Sequence, residues 1–216
     1  MEAAQSAPHA GEQLRYPGTC RGRFATWAEA RAAKGATPCW RFFVPEGTVV
    51  RFRDAFAGDF EQDVAATLGD FPLARDEGGA GYTLACAIDD LLMGVTEVVR
   101  GDDLLAATPA QILVARALSP WIRSFARGRS DARVCPPAYL HVPLVVGPDG
   151  RRLAKRHGDT RVASFREAGR SAEEVLGALA ATCGWAAKGE RVSLRDLVGR
   201  FDLSTIPHEP AVMTSL

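Results

Sequence analysis

From Leu84 to Leu92 the apolar residues Leu84, Ile88, Leu91 and Leu92 recur at helical spacing, and Gly94 follows as a stop. That periodicity predicts a helix over Thr83–Met93 with one strongly apolar side. Val95 to Val99 is a short β-rich run of the kind buried in α/β sheets. Upstream, Cys39–Val44 and Thr48–Phe56 read as strands joined by the turn Pro45-Glu46-Gly47. Phe42, Val44, Val50 and Phe52 give them partial alternation. Phe71–Arg75 is a shorter strand leading into a turn at Asp76-Glu77-Gly78-Gly79. Further on, the apolar run His141–Val146 reads as one buried strand.

Helix signals bracket these strands. Thr26 caps a short helix that runs to Lys34 and ends at Gly35. A helix over Pro109–Leu118 starts with Thr108 as N-cap and proline in the first position. Ser119–Pro137 then reads as a long, Arg-rich connection with Gly128-Arg129-Ser130-Asp131 as a flexible insert. The C-terminal part carries helices near Ser164–Ala168, Ser171–Cys183 and Ser193–Arg200, and Ser171 with Glu174 forms a capping box. Met1–Leu14 has no clear period, and the chain shows no internal repeat.

Composition narrows the picture modestly. A length of 216 residues at 47% hydrophobic suits one sizeable globular domain, with room for a small appendage. The 26 basic and 26 acidic residues cancel, so the whole chain carries no nucleic-acid signature. Between Arg151 and Arg170, however, seven cations face only Asp159 and Glu167, a local excess of five. Such a stretch is either a solvated surface or a face for phosphates. Five cysteines (Cys20, Cys39, Cys86, Cys135, Cys183) without paired spacing argue against a disulfide framework and for a reducing compartment. No run approaches the roughly 18 apolar residues of a membrane span, and no secretion signal opens the chain. The expected location is the cytoplasm.

Three places carry candidate chemistry. After His141–Val146, Pro148-Asp149-Gly150 supplies a tight turn, and Arg151, Arg152, Lys155 and Arg156 put four cations within six residues. A cationic loop beside a strand end suits a polyphosphate, though a solvated turn has the same composition. Arg100 ends a strand, where side chains of α/β sheets meet ligands, and its fork can hold a carboxylate through two hydrogen bonds. The bland alternative is an ion pair with Asp102 or Asp103. Tyr82 can donate a phenolic hydroxyl or simply pack. Asp89 and Asp90 are neighbours on a helix, diverge by about 100°, and so rarely chelate one ion together. His141, in an apolar strand, reads as structural.

Read together and in order, these pieces resemble a known family. Tyr82-Thr-Leu-Ala-Cys-Ala-Ile-Asp-Asp-Leu-Leu-Met-Gly-Val-Thr-Glu-Val-Val-Arg-Gly-Asp-Asp-Leu104 is similar to the core of the glutamyl class I aminoacyl-tRNA synthetases. Thr108-Pro109 with Gln111, then Tyr139-Leu-His-Val-Pro-Leu-Val-Val-Gly-Pro-Asp-Gly150, continue the pattern. Arg-Leu-Ala-Lys-Arg (152–156) resembles the second signature loop of that family. The resemblance runs from about Tyr16 to the C-terminus. It implies an α/β, Rossmann-like class I catalytic fold, of which this chain carries the second half, followed by a short helical C-terminal part. It also implies ATP with Mg2+ as substrate, Lys155 as the catalytic cation on the phosphates with Arg152 and Arg156 beside it, and Tyr82 and Arg100 as glutamate contacts.

Within that family, Tyr16-Pro-Gly-Thr-Cys-Arg21 resembles the second half of the zinc-binding insert of glutamyl-Q tRNA(Asp) synthetases. Tyr16 and Cys20 match two ligands, but no Cys-x-Cys precedes them, and two ligands cannot close a tetrahedral zinc site. Zinc is therefore expected only in a longer form. The family's first Gly-rich signature is absent, so roughly 100 residues, about one βαβαβ half, are expected to be lacking. About sixty residues follow Arg156, too few for a helical anticodon-binding region. The expected organisation is a lead-in and zinc-insert remnant over 1–23, a catalytic core over 24–158 with its signature loop at 150–158, and a helical region over 159–216. The resemblance implies ATP-dependent activation of glutamate and its transfer to queuosine in the anticodon of tRNA(Asp), an activity expected to be compromised in a chain that lacks the first half. The alternatives are a truncated glutamyl-tRNA synthetase and a non-catalytic RNA- or nucleotide-binding remnant.

Overall fold

The computed structural model describes residues 15–35, 37–75, 79–125, 134–153 and 162–213. The chain divides into two units, Met1–His141 and Val142–Leu216. In chain order the first carries α1 (Trp27–Lys34), β1 (Trp40–Phe42), β2 (Val49–Asp54), β3 (Gly58–Asp63), α2 (Val64–Thr67), β4 (Phe71–Ala74), α3 (Tyr82–Met93), β5 (Glu97–Gly101), a 3-10 helix (Asp102–Ala107), α4 (Thr108–Phe125) and β6 (Ala138–Val142), whose last residue belongs to the second unit. Helices and strands mix as an α/β fold requires.

α1 is built as its sequence predicts. The Thr26 hydroxyl accepts from the Glu29 amide at 3.2 Å, the Glu29 carboxylate accepts from the Ala25 amide at 2.9 Å, and Gly35 closes the helix in the left-handed conformation.

The expected strand pair around Pro45-Glu46-Gly47 is corrected. β1 pairs antiparallel with β4, not with β2, and Phe42 stacks on Phe71 with ring centroids 5.1 Å apart. Asp70 causes this. Its carboxylate accepts from the Val44 amide at 2.9 Å, and its carbonyl accepts from Arg41 at 2.9 Å, so the end of β1 is pinned to the start of β4. β2 instead forms a hairpin with β3, in register from Val49 opposite Asp63 to Asp54 opposite Gly58. β3 escaped the sequence reading because Phe60 is the one large apolar residue in Gly-Asp-Phe-Glu-Gln-Asp. Its charges pair across the hairpin instead, Arg51 with Glu61 and Arg53 with Asp59.

Four strands form the main sheet in the order β3-β2-β6-β5, with β2 and β6 parallel. α3 packs on α4 beside it. Val50, Val64, Phe71, Leu91, Val114 and Tyr139 are among the buried residues that fill the space between. β5 lies two residues later than the predicted run, which brings Arg100 inside the strand.

α4 differs from expectation at both ends. Thr108 is helical rather than an N-cap, because the preceding 3-10 turn runs straight into α4 and the Thr108 hydroxyl donates back to the Leu104 carbonyl at 3.0 Å. Nor does the helix stop at Leu118. It continues through Pro120 to Phe125, since Ser119 and Ile122 extend the buried stripe begun at Ala115 and their packing outweighs the proline penalty. Near its end Arg123 donates through Nε and Nη2, at 3.3 and 3.1 Å, to the carbonyl of buried Val134.

The predicted single strand over 141–146 is likewise two strands, broken at Pro143, which has no N–H for a ladder. The second unit begins there. It carries β7 (Val145–Val146), α5 (Val162–Glu167), α6 (Ala172–Thr182), α7 (Leu194–Arg200) and β8 (Ala211–Val212), with β7 parallel to β8. α6 has the predicted Ser171–Glu174 capping box, and α7 has a second one from Ser193 and Asp196. Trp185 packs edge-on against Phe201 and donates its indole N–H to Thr205 at 2.7 Å. No helix among the described residues is long and apolar enough to cross a membrane.

Candidate functional site

Arg100 is the centre of a buried polar cluster in the first unit. β5 places it beside β6 and the start of α4. Its Nε donates to Nε2 of His141 at 2.9 Å, its Nη2 donates to the Thr108 hydroxyl at 2.7 Å, and its guanidinium lies 5.4 Å from the Tyr139 ring centroid. His141 is 1% exposed. Its Nδ1 lies 2.7 Å from Oδ2 of Asp54, which is equally buried at the end of β2. Oδ1 of Asp54 accepts from three backbone amides: Phe56 at 2.9 Å, Ala57 at 2.8 Å and His141 at 3.1 Å.

These contacts set the charges. Burial pushes the Asp54 carboxyl up, but the Ala57 amide, the His141 ring and the other two amides outweigh it and hold it below its ordinary value. Burial pushes the His141 ring down, the Arg100 charge adds to that, and hydrogen bonding to Asp54 opposes it without reversing the direction. The imidazole is therefore neutral at neutral pH. Two groups face its Nε2, the Arg100 Nε–H at 2.9 Å and the Thr108 hydroxyl at 3.1 Å, and the matching tautomer has the ring proton on Nδ1, toward the carboxylate.

α3 supplies the other wall. Gly81 precedes it, with its amide 2.6 Å from the Leu73 carbonyl, and a Cβ there would lie 2.9 Å from the same oxygen. That close approach starts the helix at Tyr82. Tyr82, Cys86 and Asp90 follow at four-residue spacing on one face. Burial pushes the Tyr82 hydroxyl up, hydrogen bonding with Cys86 adds to it, and Arg100 pulls it back through its charge and a hydrogen bond. Burial also raises the Asp90 carboxyl, against the pull of Arg100. Tyr82 thus lies within electrostatic reach of Arg100. Arg100 makes its described hydrogen bonds to His141 and Thr108, neither of which the sequence reading named as its partner. Asp89, unlike Asp90, is exposed.

Asp54 and Thr108 were missed, and His141 was read only as structural. One signal was available: a histidine in an apolar strand needs partners for both ring nitrogens. Nothing in the sequence points to a carboxylate 87 residues earlier.

The other predicted residues fall elsewhere. Lys155, Arg156 and His157 lie outside the described residues. Arg152 is exposed and bridges Val146 across the predicted turn, in which the Gly150 amide donates to the Gly147 carbonyl at 2.9 Å and Gly150 has φ 71°. Tyr16 and Cys20 adjoin, with the Tyr16 hydroxyl accepting from the Cys20 amide at 2.6 Å. Even with both as ligands they would give two donors of the four a tetrahedral zinc requires, and among the described residues no group of three or more His, Cys, Asp or Glu could hold a metal. Zinc does not fit this set.

Known proteins resemble the chain along most of its length. The chain is 45% identical over 212 residues to the glutamyl-Q tRNA(Asp) synthetase of Symbiobacterium thermophilum, spanning 97% of this chain and 61% of that protein. The same-named protein of Rhodopirellula baltica is 38% identical, over 99% of this chain and 65% of the relative. Glutamate–tRNA ligase 2 of Coxiella burnetii is 36% identical over 94% of this chain and 40% of its own length. The chain thus spans about six tenths of the glutamyl-Q relatives it matches. In fold it is similar to a glutamate tRNA ligase from Elizabethkingia meningosepticum, solved with its amino acid, at a TM-score of 0.63 and 24% identity over 86% of this chain and 38% of that one. The family model for the catalytic domain of class I tRNA synthetases (E and Q) matches residues 1–213, and the chain belongs to that family.

Proposed function

We propose that this chain forms the glutamate-holding part of an enzyme that activates glutamate with ATP and transfers it to queuosine in the anticodon of tRNA(Asp). The observation that carries the reading is the fixed, half-buried guanidinium of Arg100 with the Tyr82 hydroxyl beside it. In the reaction the α-carboxylate of glutamate attacks the α-phosphorus of ATP and pyrophosphate leaves. The side-chain carboxylate keeps its charge throughout, so a permanently charged, immobile fork suits it. Tyr82 adds a donor. Lys155, with Arg152 and Arg156, follows the charge that builds on the phosphates. The likeness to glutamyl-Q tRNA(Asp) synthetases favours queuosine as acceptor. The likeness to glutamate–tRNA ligases supports a second reading, in which the acceptor is tRNA(Glu).

The test is glutamate-dependent ATP–pyrophosphate exchange by the protein that carries this chain, followed by transfer to queuosine-containing tRNA(Asp) and to tRNA(Glu). Arg100→Leu should raise the glutamate concentration for half-maximal exchange about 30-fold or more, and leave ATP dependence alone. A shift in ATP dependence instead would remove Arg100 from the amino-acid site. Charging of tRNA(Glu) but not tRNA(Asp) would select the second reading. Binding of RNA without any exchange would leave a non-catalytic role.

A further inference from the structure

We infer that the buried Asp54–His141 pair is a positioning device: Asp54 fixes the tautomer of His141, and the bare Nε2 so created fixes the plane of the Arg100 guanidinium. The inference rests on the reading of Arg100 as the carboxylate holder. The three amides on Oδ1 of Asp54 determine which oxygen faces the ring, leaving Oδ2 alone at 2.7 Å from Nδ1. An ionised carboxylate cannot donate, so Nδ1 must carry the ring proton and Nε2 must be free to accept. Arginine only donates, so its Nε–H completes the chain at 2.9 Å. The Thr108 hydroxyl donates to the Leu104 carbonyl and accepts from Nη2, closing a second point on the same guanidinium. Two anchored donors stop rotation about the side chain, and the edge of the fork that they do not use, Nη1 with the remaining Nη2 hydrogen, is where a carboxylate would bind, beside the Tyr82 hydroxyl. Positioning of this kind acts through Arg100. Asp54 and His141 themselves touch no substrate.

A purely structural role would have Asp54 merely cap the β2–β3 turn and tie β6 to it. Asp54→Asn separates the two. The amide oxygen of Asn keeps the three backbone donors, and its NH2 takes the place of Oδ2. That NH2 donates to Nδ1, so the ring proton moves to Nε2, where the Thr108 hydroxyl 3.1 Å away can accept it and the Nε–H of Arg100 loses its acceptor. The measurement is 15N NMR of the His141 ring and the Arg100 Nε–H in the 216-residue chain, titrated with L-glutamate. In the wild type, the proton is expected on Nδ1 and glutamate should shift the Arg100 signal. In Asp54→Asn, the proton should sit on Nε2 and glutamate should bind about tenfold more weakly.

A wild-type proton on Nε2 overturns the inference. So does a switched tautomer with unchanged glutamate affinity. If Asp54→Asn does not fold, His141→Asn serves: its NH2 keeps a donor to Asp54, but its amide oxygen stands near the Cδ2 position of the ring, short of Arg100, and wild-type affinity there sinks the proposal. If neither variant folds, the wild-type tautomer decides. A wild-type Arg100 signal that ignores glutamate would fail the carboxylate reading alone, because the tautomer and its dependence on Asp54 are read without ligand.

Discussion

The Arg21 guanidinium grips the Asp70 carboxylate through two parallel hydrogen bonds, Nε to Oδ2 and Nη2 to Oδ1, each 2.7 Å long. Oδ1 also accepts from the Val44 amide, so one buried carboxylate joins the segment after Tyr16 to the β1–β4 sheet.

This pair makes acid stability predictable. Burial pushes the Asp70 carboxyl up, but Arg21, the Val44 amide and the Arg41 charge together hold it below its ordinary value. A depressed folded pKa contributes stability fully above the unfolded value of about 3.9. That contribution is lost as pH falls through the folded one. Asp70→Asn should therefore lower stability at neutral pH by about 1–2 kcal/mol and flatten the acid limb of a stability-against-pH curve. An unchanged slope below pH 4 would show that other carboxylates govern acid unfolding.

Tyr139 governs the other end. Burial pushes its hydroxyl up to about 12, with Asp90 and Cys86 adding to the shift and Arg100 opposing it. Here the folded pKa lies above the unfolded value of about 10, so the contribution is full below that value and is lost as pH rises toward 12. Tyr139→Phe should remove the last tyrosinate step seen by ultraviolet titration and make the loss of stability between those values less steep. A tyrosinate step in the wild type at the ordinary value for all three tyrosines would contradict the burial of this ring.

Two helical glycines should respond oppositely to alanine. A Cβ at Gly177 in α6 would run into the backbone carbonyl of Glu190, whereas nothing lies within 4 Å of one at Gly199 in α7. Gly199→Ala should stabilise by about 0.5–1 kcal/mol through helix propensity. Gly177→Ala should destabilise by about 1–3 kcal/mol through overpacking. Thermal melts of the two variants check the pair, and the same sign in both would mean that the 189–192 segment yields freely.

Lys155→Ala should lower glutamate-dependent exchange by about 100-fold or more, as loss of a transition-state contact does. Circular dichroism should not change. Near-normal exchange would remove Lys155 from the mechanism.

How much of this was legible depended on distance along the chain. Thr26 with Glu29, Ser171 with Glu174, and Pro148-Asp149-Gly150 are local devices, complete within a few residues, and the structure has each of them. The pairing of β1 with β4 was not legible, because it turns on Asp70 reaching Val44 and Arg41 across the intervening β2–β3 hairpin. β3 was hidden by its polarity, and the end of α4 by a proline that tertiary packing overrides. The Asp54–His141 contact joins strands 87 residues apart and has no local signature at all.

The hold of Arg123 on the Val134 carbonyl has a practical side. Because the chain leaves α4 and returns to the core at one clamped point, the length of the stretch between those ends matters little to the rest. A fluorophore tag or a small folded module joined between Phe125 and Val134 would therefore hang from that clamp and should leave the Arg100 cluster undisturbed.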